Sequence, residues 1–110
     1  MLQGLFGNAT AEKVLLYIEQ YGEGYAQAIT KTFDDVTLSM VQRQLERFER
    51  AGLLVSVPKG RTRLFQWNPR YPFINEVRAL LRKALQSLPE QDQRRFFRER
   101  RRPRRTGKPL

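Results

Sequence analysis

The run from Thr37 to Asn68, TLSMVQRQLERFERAGLLVSVPKGRTRLFQWN, leaves this chain few folds to choose from. Leu38, Val41, Leu45 and Phe48 recur at helical spacing and mark one apolar face. Thr37 stands where a hydroxyl caps a helix start, and Val36 and Val41 are spaced as the two halves of a hydrophobic staple. Gly52 follows the last turn, where a helix commonly ends in the left-handed conformation. Two β-prone stretches, LLVSV and LFQW, then flank a Pro-Lys-Gly-Arg-Thr-Arg tip, which predicts a hairpin. A helix running straight into a basic hairpin is the constraint that every other element must satisfy.

Upstream, Val14, Leu15, Ile18 and Tyr21 predict a helix over residues 10 to 21, with Asn8 or Thr10 as its cap and Gly22 just past its end. A shorter helix is expected in YAQAITKTF, opened by Tyr25, with Ala26, Ile29 and Phe33 on a narrow apolar stripe. Its Thr30 and Thr32 are poor helix formers. Downstream of Pro69 and Pro72, INEVRALLRKALQSL places Ile74, Val77, Leu81, Ala84 and Leu88 on a heptad-like seam. Ser87-Leu-Pro-Glu90 reads as a capping box, so a last helix is expected from about Leu88 to Arg102. The order is helix, helix, tight turn, helix, hairpin, helix. It predicts an α+β, mainly α, fold: a winged helix-turn-helix core over 1–72, C-terminal helices over 73–102 and a basic tail over 103–110.

At 110 residues the chain suits one domain with a modest core. It contains no Cys and no His, which removes disulfides, thiol and imidazole catalysis, and zinc sites of the usual ligands. Phosphate-binding loops, dinucleotide fingerprints and nucleophile elbows are missing from the sequence too. Asp34-Asp35 is a carboxylate pair with neither base nor metal ligand beside it. These absences lead to the expectation of a non-enzyme with no cofactor and no metal. The start, MLQGLFGNATAEK, lacks the pattern of a secretory signal, and no apolar run is long enough for a membrane span, so a cytoplasmic protein is expected.

Charge is distributed unevenly. Residues 1 to 57 hold five Lys and Arg against seven Asp and Glu, a net −2, whereas residues 58 to 110 hold sixteen against four, a net +12. A basic excess gathered on one part of a small protein is the footprint of a nucleic-acid binder.

With those elements in place, the chain resembles the small prokaryotic winged-helix regulators of the ArsR-like kind, including those found next to nucleotidyltransferase-like domains. The resemblance covers roughly residues 5 to 85. It lies in the opening LFGN, the run LSMVQRQLERFERAGLL, the hairpin VPKGRTRLFQWNP and the YPFINEVRALL that begins the next helix. It implies a dimeric DNA-binding transcriptional regulator whose third helix enters the major groove while the wing follows adjacent phosphates. Metal sensing does not carry over, for want of Cys or His. The pair Asp34-Asp35 replaces the usual Gly-containing turn and would repel phosphates unless it points away.

Within that reading the partner is double-stranded DNA. Ser39, Met40, Gln42 and Arg43 are the candidate base readers, since Gln pairs with adenine, Arg with guanine, and Met touches a thymine methyl. Gln44 and Arg47 are placed on the same outward side. Thr37, Arg47, Lys59, Arg61 and Arg63 are the candidate phosphate contacts. The seam Ile74, Val77, Leu81, Ala84 and Leu88 is expected to join two copies while also packing in part on the first helix of the same chain. Phe96 and Phe97 are read as anchors of the last helix. The end from 94 to 110, nine Lys and Arg with one Glu, is read as a phosphate tether. The rival function is a winged-helix adaptor for proteins, or a non-specific nucleic-acid tether working through that Arg-rich end.

Overall fold

The computed structural model describes residues 1–97. Asn8 opens the main N-terminal helix: its side chain accepts the Ala11 N–H at 2.7 Å, and the Gly22 N–H closes the other end on the Ile18 carbonyl. A single turn, α1 (Gln3–Phe6), precedes this helix, α2 (Ala9–Tyr21). Strand β1 (Glu23–Tyr25), α3 (Ala26–Thr32), α4 (Leu38–Arg50), β2 (Leu54–Lys59), β3 (Thr62–Trp67), α5 (Ile74–Ser87) and α6 (Glu90–Phe96) follow. The fold is α+β and mainly helical, with one antiparallel sheet in the order β1-β3-β2.

That sheet has three strands where the sequence predicts two. Tyr25 ends the added strand, paired with Leu64, and also stands at the N-cap of α3, while Glu23 pairs with Gln66. Three residues are too few for an alternating pattern, and they are held by β3 from outside the segment. Gly24 permits the approach: a Cβ there would meet the Tyr17 ring at 2.9 Å and the Ile29 side chain at 3.2 Å. In α3 the Thr30 and Thr32 hydroxyls donate back to the carbonyls of Ala26 and Ala28, at 2.8 and 3.0 Å, which satisfies them within a helix they otherwise disfavour.

Helix α4 is as predicted at both ends. Thr37 accepts the Met40 N–H at 3.2 Å. Gly52 takes φ +86°, its N–H meets the Glu49 carbonyl, and the Leu53 N–H reaches the Phe48 carbonyl at 3.0 Å. These two bonds form a Schellman closure, with Leu53 and Phe48 both buried beside it. The hairpin base is then fastened to this helix end: Asn68 donates its side-chain amide to the Gly52 carbonyl at 2.8 Å and its backbone N–H to the Leu53 carbonyl at 3.0 Å. Gln44 departs from expectation. It is buried between the turns of Val41 and Phe48, and its amide oxygen accepts the Arg47 Nε–H at 3.0 Å.

The core lies where α2 meets α4 and α5, built from Val14, Leu15, Ile18, Ile29, Val41, Leu45, Leu54 and Leu81. Four residues of the expected dimer seam meet this core within a single chain: Leu81 is 0% and Ala84 4% exposed, and Ile74 and Val77 are partly buried, so this part of the stripe covers α2. A feature that periodicity did not reveal sits in the same interface. Glu19 is 1% exposed, and its carboxylate accepts from Arg78 at 2.9 Å and Arg82 at 3.3 Å, two guanidiniums reaching down from α5.

The capping box is corrected. Ser87 belongs to the last turn of α5, where its hydroxyl donates to the Lys83 carbonyl at 2.8 Å, and α6 starts at Glu90 after an extended Pro89. Phe96 and Phe97 anchor α6 as expected, with ring centroids 5.2 and 5.9 Å from Phe33 and with Phe97 6.1 Å from Tyr21. The expected extension of that helix to Arg102, and the tail over 103–110, lie outside the described residues.

Candidate nucleic-acid interface

On α4 the apolar face points into the core, which fixes the outward face by exclusion: Ser39, Met40, Gln42 and Arg43 are all exposed. Arg43 has no carboxylate partner among the described residues. Thr37 is exposed too, but its hydroxyl is engaged as the helix cap and lies 3.3 Å from the Ser39 hydroxyl. A phosphate contact by Thr37 therefore competes with its capping role.

The hairpin brings its cations to the same side. Lys59 and Arg61 flank Gly60 at the tip, exposed and without ion pairs among the described residues. A cleft of about 200 Å³ separates tip from helix, bordered by Gln42, Leu45 and Glu46 of α4, by Arg61 of the hairpin turn and by Arg63 and Phe65 of β3. Gln42 and Arg61, assigned different roles from the sequence, thus face one space. Glu46 lines it too and adds a negative charge to the cleft.

Besides Thr37, two more of the expected phosphate contacts are engaged within the chain. Arg47 donates from Nη2 to the Phe6 carbonyl at 2.5 Å and from Nε to Gln44, and its guanidinium lies 4.7 Å over the Phe48 ring. It ties the N-terminal turn to α4. Arg63 folds across the hairpin, where Nε donates to the Ser56 hydroxyl at 2.9 Å, and that hydroxyl donates to Glu49 at 2.7 Å. Among the described residues, Lys59, Arg61 and Arg43 are the cations of the expected set with no ion pair or side-chain hydrogen bond.

The carboxylates of the α3–α4 turn are both covered by cations. Asp35 accepts from the Lys13 ammonium at 2.7 and 2.8 Å, and this hydrogen bond holds its carboxyl below the ordinary aspartate range. Asp34 pairs with Arg95 of α6, which pushes the guanidinium higher still. The repulsion anticipated from the sequence is reduced by these pairs, one to α2 and one to α6.

Sequence reasoning missed the outward side of α3. Gln27 and Lys31, four residues apart and both exposed, border a second cleft of about 350 Å³ together with Tyr25 and Thr62 of the hairpin. Their i, i+4 spacing was the available signal. Among the described residues no group of three or more acidic side chains could hold a metal ion, and no helix is long and apolar enough to cross a membrane. No family model, no curated protein and no solved structure matches this chain.

Proposed function

We propose that this chain is a winged helix-turn-helix DNA-binding transcriptional regulator of the cytoplasm, with α4 entering the major groove and the β2–β3 hairpin serving as the wing. The observation that carries the reading is the shared cleft. Gln42 of the helix and Arg61 of the hairpin both line it, and Arg43 and Lys59 are exposed on the same two elements, with no ion pair among the described residues. An exposed polar helix face beside a cationic hairpin suits the division of labour in DNA recognition, in which phosphate contacts position and base contacts specify. The element order α2-β1-α3-α4-β2-β3 and the strand order β1-β3-β2 support the same reading. A dimer on a two-fold site would use a surface other than Leu81 and Ala84. Phe73 and Leu80, 61% and 38% exposed, are the large apolar residues that α5 and its cap leave outside.

Selection of bound sites from random duplex DNA tests the proposal. A regulator enriches a defined base motif. Retention of DNA with no enriched motif would leave only a charge-driven tether.

A further inference from the structure

A third cleft, of about 300 Å³, lies between α2, α3 and α6 and shares Lys31 with the cleft beside Thr62. Its chemistry is mixed in a specific way. Tyr17 and Tyr21 present two rings from α2, tilted 51° to each other with centroids 4.7 Å apart, and Phe96 adds a third ring from α6. Lys31 of α3 and Arg95 of α6 supply two cations to the same space. Lys31 is exposed and has no ion pair among the described residues. Arg95 gives one terminal nitrogen to Asp34, which leaves other N–H groups of its fork for a second acceptor.

A bare inorganic anion would use the cations and gain nothing from three aromatic rings. A neutral aromatic molecule would use the rings and leave Lys31 unanswered, since Arg95 already has Asp34. From this combination we infer that the cleft binds a small aromatic carboxylate, with its ring against Tyr17, Tyr21 and Phe96 and its carboxylate between Lys31 and Arg95. Its volume is at the small end of ligand pockets, which suits a single ring. Because the two cations come from different helices, the bound acid bridges α3 and α6. This site does not depend on the DNA-binding reading.

The test is titration of the full chain with sodium benzoate, followed by amide chemical shifts and calorimetry, with benzamide and sodium acetate as matched probes. Benzoate is expected to saturate with a dissociation constant on the order of 1 mM or tighter. The shifts should centre on Lys31, Thr32, Arg95 and Phe96, with benzamide and acetate each at least about tenfold weaker. Lys31→Met should weaken benzoate by a similar factor, and since it disturbs no ion pair of the described residues, its effect is separable from any loosening of α6 by Arg95→Gln. Benzamide binding as tightly as benzoate, acetate competing at equal concentration, an unaltered Lys31→Met variant, or no saturation by about 10 mM would each overturn the inference.

Discussion

Two basic regions of this protein use their arginines in opposite ways. In the C-terminal helices the guanidiniums face inward or sideways onto carboxylates: Arg78 and Arg82 on Glu19, Arg94 on Glu90, Arg95 on Asp34. Around α4 and the hairpin tip, Arg43, Lys59 and Arg61 have no such partners among the described residues. Formal charge treats the two groups alike. The second group is unpaired and open to a phosphate backbone, while all of the first but Arg94 tie one element to another.

The comparison breaks first if the paired arginines prove dispensable. Replacing Arg78 and Arg82 together with Ala strips a carboxylate that is 1% exposed of both guanidiniums, and should cost about 3 to 5 kcal/mol in urea unfolding. The pair Lys59→Ala and Arg61→Ala should stay within about 0.5 kcal/mol of wild type by the same measurement. Leu81→Ala tests the seam of the same region and should cost about 3 kcal/mol of folding stability. A seam between copies would lose dimer mass in sedimentation instead.

Binding experiments sharpen the other half. Arg43→Ala should lose about 1 to 3 kcal/mol on a selected site and little on a scrambled duplex, read by fluorescence anisotropy. Lys59→Ala with Arg61→Ala should weaken both duplexes alike and flatten the slope of log affinity against log salt by roughly 2. Equal losses on both duplexes for Arg43→Ala would place that residue with the phosphate contacts.

The smallest effect is a matter of pH. The hydrogen bond from Lys13 lowers the Asp35 carboxyl in the folded state, so its contribution is present above the unfolded aspartate value and is lost as pH falls through the lower folded one. The Asp35 side chain is 69% exposed, so solvent screening limits the pair to about 0.3 kcal/mol. Lys13→Met should show that deficit at neutral pH and match wild type once the carboxyl is protonated, in paired urea titrations.

Helix α4 and its hairpin were legible in the sequence because their signals are local: the Thr37 cap, the Gly52 closure and the apolar stripe each act within a few residues. The same periodicity correctly exposed Ser39, Met40, Gln42 and Arg43. What escaped depends on partners distant along the chain. Arg47 meets Phe6 across 41 residues and Glu19 meets Arg78 across 59, and no pattern around either residue names its partner. Periodicity showed that α5 has an apolar face and could not say whether α2 or another chain covers it. Glu19 did leave a trace, since an acid one residue after Ile18 and four after Leu15 falls on the buried side of its helix.

The two bonds from Asn68 to the end of α4 have a mechanical consequence. They make the foot of the hairpin a fulcrum, with six-residue strands as the arm. At about 3.3 Å per residue that arm is roughly 20 Å long, so a tilt of about 10° at the foot sweeps Lys59 and Arg61 through about 3 Å while the foot scarcely moves. One asparagine thereby sets the reach of two cations that it never touches.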